Sequence, residues 1–436
     1  SREGLLLNIC EAGKQDSGWA ISLGRNLGER AVWSSDLWPT LIRGLCASEQ
    51  TADNWHDSLN MVSDPKFWAA HAHEVATLLY TLVKDGGKPP TRDLLKLANS
   101  IALPVWLALE VGSEHNEFED WLSLAINRPA GIITNFWING LSLLLHGKTG
   151  PERVMPEEYR LWFTQVVQDP TSKGGMGRSV LASQAAFLFG LDEAWARQHL
   201  IPLFSTPDRD KFAQAWGGFL TWGRLNSELV EALLPAFISA IPRHADGMND
   251  RRQRFIEFYT ALAVFHVPDP TQELLPALFR DGSLDDRLAL ASHIQHTLRQ
   301  MQPAAKQQLW NAWLHRYWKN RLQGVLAILD EAEIRKMLEW LPHLGDAFPE
   351  AAALAVRSPA IHLEHSHVLI ELGESPVVTL HPVETGELLI YLSSGSSNYQ
   401  GANLARINAR LPAIPAELRN RIDEAFALAG VPLTHG

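Results

Sequence analysis

The stretch LWNAWLHRYWKNRLQGV, Leu309 to Val325, holds three tryptophans, a tyrosine, a histidine, a lysine and two arginines. Its reading decides the fold. Three roles suit such a composition: gripping a nucleic acid, building an active site, or packing helices together. On a wheel of about 100° per residue, Trp310, Trp313, Leu314, Tyr317 and Trp318 form one stripe about 140° wide. His315, Arg316 and Lys319 fall on the other side. Stacking on bases would need aromatic and cationic side chains on the same exposed face, so the segregation describes a packing helix. Arg321 breaks the pattern, because it lands in the middle of the aromatic stripe. A buried guanidinium needs a carboxylate partner. EIRKMLEW, which follows, supplies one: Glu333, Met337 and Trp340 share a helical face. The expected feature is an Arg321–Glu333 pair clamping two neighbouring helices inside an aromatic cluster of Trp310, Trp313, Tyr317 and Trp340.

The same helical spacing extends outward through most of the chain. HEVATLLYTLV (His73 to Val83), RRQRFIEFYTALAVF (Arg251 to Phe265) and LRNRIDEAFALAG (Leu418 to Gly430) all place apolar residues at that period. SDP at Ser63 and TPD at Thr206 mark helix starts, and Gly86-Gly87 and Gly430 mark stops. Together these predict on the order of twenty helices of ordinary length. Strands are predicted only within HSHVLIELGESPVVTLHPV, His365 to Val383. The pattern of apolar residues around a proline recurs at Pro202, Pro235 and Pro276, at intervals of 33 and 41 residues. It returns at Pro342 and Pro412, after 66 and 70. These intervals suit one or two units of a paired-helix repeat. Many short amphipathic helices without a central sheet must stack pairwise to bury their apolar stripes. The predicted fold is therefore all-α, a HEAT/armadillo-like helical-repeat solenoid. Its two halves, residues 1–241 and 250–436, are separated by the polar run Pro242 to Arg254.

Composition narrows the function. The chain has 436 residues, 46% hydrophobic and 20% charged, with 49 acidic against 38 basic side chains and a formal net charge of −11. That is the wrong sign for the phosphate contacts that dominate nucleic-acid affinity, so a protein partner is expected before a nucleic acid. Cys10 and Cys46 are too few for a disulfide scaffold and lack zinc-site spacing, which suggests a reducing, cytoplasmic setting. No run of about 18 uncharged apolar residues occurs, so no membrane span is expected. The chain starts Ser1-Arg2-Glu3 and reads as a piece of a longer polypeptide.

Motifs for chemistry fail on spacing. HGKTG at His146 lacks the glycine spacing and the preceding strand of a phosphate loop, and reads as a helix end. KGGMGR at Lys173 lacks dinucleotide spacing and reads as a mobile loop. In HLEHSH the ligand types His362, Glu364, His365 and His367 do not converge on any regular backbone. His71, His73, His293 and His296 read as structural. Glu117, Glu119 and Asp120 beside Trp121 leave open a carbohydrate-acting α/α-toroid enzyme, provided that carboxylates converge elsewhere in the fold. The sixteen tryptophans are spread along the chain at helix-like positions and read as packing. No catalytic, cofactor-binding or metal-binding residue is expected.

The order W-x2-W-x3-YW-x2-R-x2-G, then E-x3-M-x2-W-L-x2-L and FPEAAALA, here Trp310 through Ala355, resembles a domain of unassigned function. That domain follows sirtuin-like NAD-hydrolysing domains in bacterial antiphage defence proteins. The resemblance covers residues 250 to 436. It implies a noncatalytic sensor or assembly region that recognises a phage-encoded protein or mediates homo-oligomerisation. NAD hydrolysis would then belong to an N-terminal domain absent from this sequence. The rival readings are the toroid enzyme and a nucleic-acid-binding solenoid with a basic concave face.

Overall fold

A computed structural model of the chain describes residues 1–33, 35–84, 89–110, 120–244, 248, 251–363, 367–395 and 400–432. All regular elements among the described residues are helical. Helix starts follow local chemistry. Asp64 accepts from Lys66 N–H ahead of the helix Pro65–Val83, with proline in its first turn, and Asp208 caps Arg209–Trp222. Gly430 ends Ala416–Ala429 in the left-handed conformation, φ 68°. Gly86 and Gly87 lie outside the described residues.

Among the described residues, none of the strands expected between His365 and Val383 is present. The described part of that stretch forms the helices Val368–Glu374 and Val377–Leu380, and Pro382 opens Pro382–Ser393. Its β-branched residues misled the reading. Val368, Leu369, Leu372, Val377 and Val378 are all buried, and burial outweighs the few tenths of a kcal/mol that separate helix propensities.

The chain divides into two compact units, Ser1–Leu233 and Leu234–Gly436. The division falls inside the helix Ser227–Ala240, upstream of the polar run at Pro242. In the first unit a series of helices packs each on the next. Arg2–Gln15 meets Leu37–Ala47, which meets Pro65–Val83, then Pro129–Leu144, Ser172–Ser183 and Arg209–Trp222. A second series runs beside it: Ser17–Glu29, Ala52–Met61 and Arg92–Ala108. In the second unit Arg252–Ala261 packs on Leu284–Gln300, which packs on Glu331–Leu338. Phe348–Ala355 packs on Pro382–Ser393, which packs on Ala416–Ala429.

KGGMGR is not a loop. It lies in the helix Ser172–Ser183, where Gly174, Gly175 and Gly177 are buried. A methyl at Gly175 would meet Trp121 at 2.5 Å and Gln214 at 2.6 Å. The glycines therefore serve close approach between helices, at an accepted propensity loss of roughly 1 kcal/mol each. Arg178 of the same helix is buried. Its Nε donates to Gln214 Oε1 at 2.7 Å, and its Nη1 to the carbonyls of Val167 at 3.1 Å and Asp169 at 2.5 Å.

Candidate functional site

The helix carrying the tryptophan-rich stretch runs from Pro303 to Leu322, with a π-helical turn at Trp310–Leu314 between two α-helical parts. One face is wholly inward. Trp310, Trp313, Leu314, Tyr317, Trp318 and Arg321 are buried, while Arg316 and Lys319 are exposed. Trp310 Nε1 donates to Glu350 Oε2 at 2.8 Å, and Trp340 Nε1 to the Ala291 carbonyl at 2.8 Å. Trp318 meets Trp310 at 6.2 Å and Trp340 at 5.6 Å, edge to face, and Trp313 meets Tyr317 at 5.9 Å. These are favourable aromatic geometries, and they fix the rings' relative orientation.

Arg321 lies at the centre with no exposed side-chain surface. Its Nη2 is 3.1 and 3.2 Å from the two carboxylate oxygens of Glu333. A second guanidinium is present. Arg287 Nε stands 3.8 Å from the same carboxylate, and both arginines face the Phe279 ring, at 4.5 Å for Arg321 and 5.4 Å for Arg287. One carboxylate thus serves two cations, and the ring face takes up part of the excess positive charge. The Nε atoms of both arginines, and Trp313 Nε1, find no hydrogen-bond acceptor among the described residues. Burial pushes the neighbouring Tyr317 phenol well above its ordinary range.

Arg321 also fastens the loop that follows its own helix. Its Nη1 donates to the carbonyls of Val325 at 2.8 Å and Ala327 at 2.6 Å, and its Nη2 reaches that of Ile328 at 3.4 Å. Glu333 completes the junction from the other side, accepting from the Asp330 backbone N–H in a capping box. The loop is bent by two left-handed residues, Gly324 at φ 71° and Leu326 at φ 78°. At Leu326, which has a Cβ, that conformation is strained by about 1 to 3 kcal/mol and persists only because the surroundings impose it. The pair therefore does more than join two helices. It holds a loop whose Ile328 is 89% exposed.

A second buried ionic junction was missed in the sequence. Asp286 Oδ1 receives His244 Nε2 at 3.0 Å and Arg252 Nε at 2.7 Å, while its Oδ2 receives Arg252 Nη2 at 2.8 Å and the Ser283 N–H at 2.7 Å. The Ser283-x-x-Asp286 spacing of a capping box was the available signal. Burial alone would raise the Asp286 pKa, but the hydrogen bonds from His244, Arg252 and Ser283 outweigh it and hold the carboxyl well below its ordinary range. An unfolded carboxyl titrates near pH ~3.9. A depressed folded value adds stability that is complete above that pH and is lost as the pH falls toward the folded value. We expect acid titration below about pH 4 to destabilise the second unit, and Asp286→Asn to flatten that dependence while lowering stability at neutral pH. A variant with the wild-type acid profile would show that Asp286 does not carry it.

The remaining residues singled out from the sequence are dispersed. His362 is exposed and pairs with Glu331 at 3.4 Å; Glu364 and His365 lie outside the described residues, and His367 stands at the N-terminus of the helix Val368–Glu374 without a side-chain cap bond. Among the described residues no three histidines, cysteines or carboxylates assemble as a metal site. His71 is buried against the Trp33 carbonyl at 2.7 Å, and His296 contacts Gln300 at 2.8 Å. Asp120 caps the helix Trp121–Asn127, while Glu117 and Glu119 lie outside the described residues. His146 and Gly147 follow the end of the helix Pro129–Leu144. A shallow groove of about 370 Å³ lies in the second unit, lined by Leu234, Pro235, Ile238, Ser239 and Pro242 on one side and Glu273, Arg280 and Asp281 on the other. None of the described helices is long and apolar enough to cross a membrane.

Among its described residues the second unit is thus a helical assembly that holds an arginine–carboxylate–arginine junction in an aromatic shell. Residues 263–394 match a family described as a domain of unknown function (DUF4020). The match covers less than a third of the chain and includes the whole tryptophan-rich stretch, Phe279, Arg287, Glu333 and Glu350. That description makes no link to NAD hydrolysis or antiphage defence. No curated protein matches the chain.

Proposed function

We propose that this chain is a noncatalytic recognition and assembly region, built as paired-helix repeats, that works beside a sirtuin-like NAD-consuming domain in bacterial antiphage defence. The carrying observation is the inward use of the motif. The tryptophans, Arg321, Glu333 and Glu350, which would be the reactive or ligand-binding groups of an active site, are engaged with one another and with backbone carbonyls. Such a motif stabilises a scaffold and shapes its surface. The resemblance of Trp310 through Ala355 to the domain that follows sirtuin-like enzymes supports the defence context. The helix-on-next-helix packing within each unit supports a repeat architecture. In this reading the partner is a protein, phage-encoded or a second copy, and the setting is cytoplasmic.

The test has two arms. The chain alone, titrated calorimetrically with NAD and assayed for nicotinamide release, is expected to give neither saturable binding nor turnover. The chain fused behind a sirtuin-like domain is expected to make NAD loss depend on infection, and that dependence should disappear on deletion of residues 263–394. Turnover by the isolated chain, or unchanged NAD loss in the deletion variant, would overturn the proposal.

A further inference from the structure

The second unit carries two unsatisfied shapes of opposite sense. The convex one is the loop after Arg321. Its three carbonyls converge on the buried guanidinium, Leu326 is held in a strained conformation, and Ile328 stands 89% exposed with Val325 beside it at 42%. A braced apolar tip loses little conformational freedom when it binds, which distinguishes it from a floppy loop that happens to bear an isoleucine. The concave shape is the groove formed by Leu234, Pro235, Ile238 and Pro242. Within one chain the two do not meet, because Ile328 lies in solvent.

They adjoin through one helix. Leu274–Asp281 supplies Arg280 and Asp281 to the groove wall, and the preceding Phe279 lies under Arg321, which holds the loop. Their exposed charges are also complementary. Lys319, on the turn of helix before the loop, and Glu273, at the groove rim, are exposed, and neither pairs with another described residue. Arg280 and Asp281 neutralise each other at 2.7 Å, leaving Glu273 as the unpaired charge in the groove lining and Lys319 as the unpaired charge on the helical turn before the loop. A twofold axis between neighbouring convex and concave features makes each copy donate its tip and accept the other's, which closes the assembly at two.

We infer that the chain forms a twofold dimer in which Ile328 of each copy enters the Leu234–Pro235–Ile238–Pro242 groove of the other, with Lys319 facing Glu273. This rests on the assembly reading above and names its surface. Sedimentation velocity on the 436-residue chain, from nanomolar to high micromolar concentration, should show a monomer–dimer equilibrium. Ile328→Asp and Ile238→Asp should each weaken it by roughly thirtyfold or more, the scale of a central interface anchor. Mixing the two variants should restore part of the association, because the mixed dimer keeps one intact tip and groove. Lys319→Glu should weaken the dimer, and adding Glu273→Lys to the same chain should recover it; both positions are exposed, so this pair reports on the interface even if Ile238→Asp fails to fold. A wild-type chain that stays monomeric throughout, or a dimer indifferent to Ile328→Asp and to the charge exchange, overturns the inference. Neither result bears on the isolated-chain NAD measurements or on recognition of a foreign protein, so the broader reading stands or falls separately.

Discussion

Glu333→Ala is expected to lower the stability of the second unit by ~3 to 5 kcal/mol, the usual result of removing one partner from a buried ion pair. For a unit of this size that corresponds to a fall of roughly 10 °C in melting temperature. The expected order is as informative as the size. Without Glu333, the guanidiniums of Arg321 and Arg287 face each other over Phe279 with no counter-charge, and Asp330 loses the acceptor for its backbone N–H. Arg321→Ala leaves Glu333 with Arg287 and the Asp330 N–H still in place, so it should be the milder substitution. The double variant should lose less than the sum of the two, because contacting groups couple. Scanning calorimetry decides the matter: equal melting of both single variants and wild type, or Arg321→Ala proving the worse, would refute the two-cation arrangement.

In the first unit the largest effect is expected from adding a single carbon. A Cβ at Gly218 would sit 2.0 Å from the Ser179 carbonyl oxygen and 2.8 Å from its carbon, so the helices Ser172–Ser183 and Arg209–Trp222 must part. Two effects oppose each other in Gly218→Ala. Helix propensity favours alanine by ~1 kcal/mol, while forcing backbone from backbone falls at or above the ~3 kcal/mol end of ordinary overpacking. Repulsion wins. Gly190→Ala is the control: nothing lies within 4 Å of the added methyl, the site is exposed and helical, and a gain of up to ~1 kcal/mol is expected. Urea unfolding of both variants measures the contrast, and a stabilised Gly218→Ala would mean that the two helices are not in backbone contact.

Helices were legible wherever an apolar stripe was long or a cap was explicit, as at Asp64, Asp208 and Gly430. Legibility failed where local preference and tertiary burial disagree. Val377 and Val378 carry strand preference yet are helical because their helix is buried, and Gly174 to Gly177 carry loop preference yet are helical because neighbouring helices press close. In the tryptophan-rich stretch the sequence singled out Arg321 through its place in the stripe, and Glu333 through its face. It had no means of finding Arg287 or Phe279, which lie 34 and 42 residues before Arg321 on other helices. Nor did helical periodicity reveal that the guanidinium's remaining donors fasten a loop. That information lies in backbone carbonyls, which every residue has.

The order in which the first unit's helices pack has a consequence during synthesis. Each helix of the main series rests on the one before it in that series, so a newly made segment finds its docking surface already assembled a few tens of residues earlier. Chains emerge from the ribosome at ~5 to 20 residues per second, while helices form in about a microsecond. The unit can therefore grow by accretion, with apolar faces such as that of Pro129–Leu144 covered soon after they appear. Contacts of this short sequence reach favour rapid folding. They also limit the time for which a nascent chain rich in tryptophan exposes surface that could aggregate.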